Sequence, residues 1–226
     1  DPIIVTATKI KTKDTKATYA SEVYSREEIE RSGATSLYDF LNQNTSTAIM
    51  PSYGNPFNQM IDIRGYGLTD GFKNVVISVN GRRLNNIDSV PQQLSTISID
   101  NIDRIEITKG SGSVVFGDGA TAGSIQIYTR DTTETSIKGS MGNYGIKTGL
   151  FTTGFSKGKF LLSALGDHYG QDGFSDPDPD GHRDSGEKNY YQVKLRFFPT
   201  ESSEAFIEKD YTDIYTRYPN ALTKET

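Results

Sequence analysis

Three rhythms of apolar residues divide this chain. Near the start one short run, Ile3, Ile4 and Val5, is followed by Lys9, Lys11, Lys13 and Lys16 among threonines. That pattern predicts a mobile arm over 1–16 carrying one strand-forming patch. Helical spacing comes next. Ser25, three residues before Glu28, sets up a capping box in which hydroxyl and carboxylate each satisfy an orphan amide. Ser32 and Gly33 end that helix within two turns. Leu37, Phe40 and Leu41 share one face of a second helix, which starts at Thr35 or Ser36 and frays over 42–44. Residues 48–58, rich in Pro, Gly and Asn, predict a loop that exposes Tyr53 and Phe57.

A period of two then takes over. Residues 60–63 and 75–79 read as strands, the second closing at Asn80-Gly81, a pair suited to a tight turn with two positive φ angles. One helical turn over 98–103 leads into a strand at 104–108, and a glycine-punctuated loop precedes another at 124–129. Residues 17–130 therefore read as one α+β unit. From about residue 134 only strands follow, over 136–141, 146–155, 160–169, 190–198 and 204–215. Tyr191, Val193, Leu195 and Phe197 alternate with Gln192, Lys194 and Arg196. Two architectures share that alternation: a barrel wall with lipid outside and water inside, and an ordinary antiparallel sheet packed on a soluble core.

Composition narrows the function classes. In 226 residues the net charge is −5 and no basic block exists to neutralise phosphates, so nucleic acid is not an expected partner. Without cysteine there are no disulfides and no thiolate metal sites. No run approaches 18 apolar residues, so membrane insertion is open only to a closed β-barrel. A catalytic set is not visible either. His168 and His182 are the only histidines, and the glycines of 117–123 precede a strand instead of opening a helix, which argues against a dinucleotide site. The chain does not read as an enzyme.

Several stretches, in order, resemble the TonB-dependent outer-membrane receptors. Asp1, Pro2, Ile3, Ile4, Val5, Thr6 and Ala7 resemble the Ton box; Pro2 stands where many members have Thr. Thr35 to Leu41, the Ile-Arg-Gly at 63–65, the aliphatic run 75–79 with Asn80-Gly81-Arg82-Arg83, and Asp103-Arg104-Ile105-Glu106-Ile107 resemble successive plug motifs. The family usually continues with Arg-Gly-Pro, whereas Lys109-Gly110-Ser111 stands here.

The resemblance implies a plug domain over 17–130, then the first strands of a transmembrane β-barrel over 131–226. It also implies a Ton box that pairs as an added strand with the energy-coupling protein TonB. By the same resemblance, Arg64 and Arg104 are candidate plug-lock residues. The outward plug loops, with Tyr53, Asn55, Phe57, Asn58, Asn85, Asn86 and Asp88, are the candidate ligand surface. The expected ligand is a ferric siderophore, haem or cobalamin, the expected surroundings are outer-membrane lipid, and the five strands are expected to be part of a larger barrel.

One loop stands apart. Asp176, Asp178, Asp180, His182, Asp184 and Glu187 fall at the alternating positions of an EF-hand loop, with Gly181 at the sharp turn. Calcium is thus a candidate ligand, and the cobalamin receptor of the resembled family binds calcium through an aspartate-rich loop in this region. The rival reading of the whole chain is a soluble calcium-dependent binding module.

Overall fold

The computed structural model describes residues 3–4, 12–13, 20–52, 55–63, 65, 71–84, 94–110, 117–179, 181, 183–200 and 203–218; for 3–4, 12–13, 20, 51–52, 55–56, 58 and 71–72 it describes the backbone alone. Two compact units result, Asp1–Arg130 and Asp131–Thr226.

In the first unit, β1 (Ile3–Ile4) pairs with β2 (Thr12–Lys13), and β3 (Ala20–Ser25) runs directly into α1 (Arg26–Ser32). The capping box forms: Glu28 Oε2 accepts the Ser25 amide at 2.8 Å, and Ser25 Oγ accepts the Glu28 amide at 3.4 Å. Gly33 ends the helix. Ser36 caps α2 (Leu37–Asn44), and Leu37, Tyr38, Phe40 and Leu41 are buried by it.

Next come β4 (Ala48–Ser52) and β5 (Asn55–Asp62), an antiparallel hairpin where the composition predicts a loop. Prolines 51 and 56 stand in a two-stranded sheet, where each strand has an outer edge, the place in a sheet that accepts proline. The apolar positions Ile49, Phe57 and Ile61 are buried, so Phe57 is not the exposed aromatic its loop-like neighbours suggest.

The main sheet of this unit also contains β6 (Val75–Val79), β7 (Arg82–Arg83), β8 (Ile102–Lys109) and β9 (Gly123–Thr129), ordered β3-β8-β9-β6-β7 with only β6 and β9 parallel. Asn80 (φ 49°) and Gly81 (φ 81°) make the primed turn between β6 and β7. The Asn80 side chain also brackets Thr129, accepting its amide at 3.0 Å and donating to its hydroxyl at 2.7 Å. One core runs through helices and sheet: Ile29, Leu41, Ile77, Leu94, Ile105, Ile107, Ile125 and Ile127 are all buried in it.

The second unit is a five-stranded antiparallel meander: β10 (Ser136–Met141), β11 (Lys147–Lys157), β12 (Phe160–Gln171), β13 (Gly186–Thr200) and β14 (Ser203–Thr216), hydrogen-bonded in chain order. The last four have 11, 12, 15 and 14 residues, enough to cross a hydrocarbon layer, for which a tilted strand needs about 9–11. Their two faces are inverted relative to a soluble sheet. On β13 Val193 is 51% exposed while Lys194 is 2% exposed, and across the strand pair Ile207 is 75% exposed. Ile137, Phe155, Phe160, Leu162, Tyr191 and Tyr211 extend the same exposed apolar face. An apolar face turned outward over a polar face turned inward is the arrangement of a membrane barrel wall. It is the reverse of a sheet packed on a soluble core, and nothing favours the soluble module.

Candidate functional site

The polar face of the meander is a ladder of paired groups. Lys188 on β13 meets Asp167 on β12 at 3.0 Å. Tyr190 and Gln192 both donate to Asp210 on β14 at 2.9 Å. Further along, Lys194 and Arg196 are bound by Asp131, Glu204 and Glu208. Residues two apart on a strand share a face, so the partners on β12, β13 and β14 follow from register, while Asp131 comes from the segment before β10. Such pairing is required, since a charge removed from water without a partner costs on the order of several kcal/mol.

In the first unit, Arg104 lies on β8 with Glu106 two residues on. Its Nε is 2.6 Å from Glu106 Oε1, and its guanidinium sits 3.9 Å from the centre of the Tyr128 ring on β9. Glu106 is fully buried. Burial and the Glu106 charge push the Tyr128 phenol up, with Arg104 opposing. A second cluster joins the ends of β3 and β8. Lys109 pairs with Glu22, which also accepts from Tyr24 and Ser46, and Tyr24 reaches the Asn44 carbonyl at 2.9 Å. Burial acts to raise the Glu22 carboxyl, but Lys109 and the two hydroxyls outweigh it and hold it below its ordinary value. Lys109, where the resembled family has Arg, thus has its partner inside the same unit.

The other candidate residues are only partly described. Of the Ton-box residues, Ile3 and Ile4 form β1, while Asp1, Pro2, Val5, Thr6 and Ala7 lie outside the described residues, as does Arg64. Of the candidate ligand surface, Asn55 and Asn58 are on β5, and Phe57 is buried with its carbonyl accepting from Ser95 at 2.8 Å. Tyr53, Asn85, Asn86 and Asp88 fall outside the described residues.

The acidic loop between β12 and β13 is closed by one of its own carboxylates. Asp184 Oδ1 accepts the Ser175 amide at 2.8 Å, Ser175 Oγ accepts the Asp184 amide at 3.2 Å, and Arg183 donates to the Ser175 carbonyl at 2.6 Å. Burial opposes ionisation of Asp184, but its bonds to Ser175 and to the amides of Phe174 and Asp184 prevail and pull its carboxyl down. Asp178 is buried, and its carbonyl accepts the Gly181 amide at 2.8 Å. Asp176 is exposed, and Glu187, already on β13, accepts from Asn189 at 3.0 Å. Asp180 and His182 lie outside the described residues. Among the described residues no three His, Asp or Glu converge on one point.

Asp131 and Glu22 carry well-defined polar contacts yet belong to no recognisable motif: Glu22 meets Lys109 through the β3–β8 register, and Asp131 reaches its cations from the segment between β9 and β10.

Comparison with known proteins agrees with this architecture. Residues 13–124 match the family described as TonB-dependent Receptor Plug Domain. Over 99% of its length the chain is 29% identical to the vitamin B12 transporter BtuB of Vibrio vulnificus (strain CMCP6), of which it spans 36%. The fold matches the pyoverdine outer membrane receptor FpvA of Pseudomonas aeruginosa PAO1 with a TM-score of 0.74 at 15% identity, covering 94% of this chain and 30% of that one. For the ferric yersiniabactin uptake receptor FyuA of Yersinia pestis the TM-score is 0.68 at 21% identity, over 86% and 32% of the two chains. The chain thus spans about a third of the length of the proteins it matches. With a plug domain followed by an inside-out antiparallel sheet, it belongs to the TonB-dependent receptors of the outer membrane.

Proposed function

We propose that this chain is the plug and first wall strands of an importer for a scarce nutrient, a cobalamin or a ferric siderophore. The observation that carries the reading is the succession of a compact α+β plug and strands whose apolar face is exposed and whose charged face is buried. The 29% identity to a vitamin B12 transporter supports cobalamin, while the likeness to siderophore receptors supports the fold common to both. In this reading, ligand binds the outward loops of the plug, which blocks passage until TonB pairs with residues 1–7 and pulls. Strand pairing suits such a grip, because backbone hydrogen bonds transmit force whatever the side chains; Pro2 removes one donor at most. No chemistry on the ligand is involved.

The test is uptake of radiolabelled cyanocobalamin and of a panel of ferric siderophores by cells carrying the whole receptor. The expected result is uptake of one class that disappears when residues 1–7 are deleted or TonB is absent, while equilibrium binding of that ligand persists. Uptake that survives both changes would overturn the coupling.

A further inference from the structure

The short segment that leaves β9 and enters the meander is held in an unusual way. Asp131 is its second residue, and its carboxylate is shared by two cations on one face of β13: Lys194 Nζ at 3.0 Å and Arg196 Nη1. Each cation is shared in turn with a glutamate of β14, Lys194 with Glu208 at 3.7 Å and Arg196 with Glu204 at 2.9 Å. Five charges therefore alternate in sign, and Asp131 is the only one that does not sit on a strand. The next residue is seated sterically. A Cβ at Gly154 on β11 would stand 1.7 Å from the Thr132 carbonyl oxygen, so the segment lies flat against the sheet only because that position has no side chain. Thr132 then turns the chain by accepting the Glu134 amide at 3.1 Å, and Thr135 meets the Thr153 hydroxyl at 2.8 Å before β10 begins.

We propose that residues 131–135 are an ionic clamp that fixes the plug's C-terminal junction to the wall strands, making it the fixed point against which a pull on the plug's other end acts. The second half of that statement rests on the import reading; the clamp itself does not. The charge arrangement makes its release selective. Removing the Asp131 carboxylate frees the strap, yet leaves Lys194 and Arg196 paired with Glu208 and Glu204, so β13 and β14 stay together. Removing either cation would disturb the wall as well.

The experiment uses the whole receptor in outer-membrane vesicles with one cysteine introduced by Thr132→Cys. Thr132 is 8% exposed, so a bulky maleimide reaches it only when the strap lifts. Labelling is expected to be slow with Asp131 present and about tenfold or more faster with Asp131→Asn, as befits the loss of one partner from a largely buried ion pair. Asp131→Glu should restore slow labelling, and Gly154→Ala should accelerate it with every charge intact. Energising the vesicles with TonB and a proton gradient should leave labelling slow in the otherwise native receptor. Equal resting rates with and without the Asp131→Asn substitution would overturn the clamp, and rapid labelling of the native strap on energising would overturn its role as fixed point. The resting comparison involves neither ligand nor TonB, so a failed uptake assay leaves it standing.

Discussion

Arg104 and Glu106 are two residues apart on β8, so both side chains leave the same face of the sheet, and the guanidinium neutralises a carboxylate that has no exposure to water. Replacing Arg104 with Ala removes the cation bound to that buried carboxylate and also the one above the Tyr128 ring. The expected loss is about 3 kcal/mol, the scale for breaking a buried pair, read as a lower urea midpoint for unfolding of the first unit in the detergent-purified receptor. Arg104→Lys should recover only part of it, because an ammonium lacks the flat guanidinium that holds the carboxylate through Nε while lying over the ring. An unchanged midpoint for Arg104→Ala would mean that the pair contributes nothing to the unit. Arg104 is legible in the sequence as a motif position, but its contact with Glu106 is not named by the motif; it follows from alternation along β8. The same holds for Lys109, whose partner Glu22 is 87 residues away in sequence and adjacent only through the β3–β8 register.

At the scale of elements, helix ends are legible because capping is local chemistry: Ser25 and Glu28 need nothing beyond their own turn. Ser25→Ala should therefore cost about 1 kcal/mol, measured as faster hydrogen exchange over α1 with little change elsewhere. The β4–β5 hairpin is hidden for the opposite reason. Its prolines and glycine carry loop statistics, while the burial of Ile49, Phe57 and Ile61 that makes it a hairpin depends on the rest of the core. The loop between β12 and β13 has a pH dependence whose sign follows from Asp184. Its folded carboxyl is lowered, so its contribution is present in full above the unfolded value of about 3.9 and is lost as pH falls through the lower folded value. Pepsin cleavage over 172–185 is expected to rise only at the acid end of that window. Asp184→Asn, which cannot ionise, should flatten the dependence, and a cleavage rate independent of pH in the native loop would refute the assignment.

For the molecule as a whole, alternation along β13 is visible in the sequence, but the side that faces water is not, because a sheet period is the same in lipid and in a soluble core. Burial decides it: Val193, at the midpoint of β13, is exposed and Lys194 beside it is not. The consequence can be measured as a gradient with depth. A cation placed on the lipid face at mid-strand must be carried into the centre of the hydrocarbon, whereas one near a strand end can reach the headgroups. Val193→Arg is therefore expected to destabilise the assembled barrel by about 2–4 kcal/mol, and Tyr215→Arg, one residue from the end of β14, by about 0–1. Both are read as the fraction of receptor in outer membranes that resists unfolding by detergent without heat. A soluble sheet predicts no such ordering, since both positions would already be in water. If the two variants assemble equally well, the exposed apolar face does not meet lipid, and the membrane reading of these strands fails.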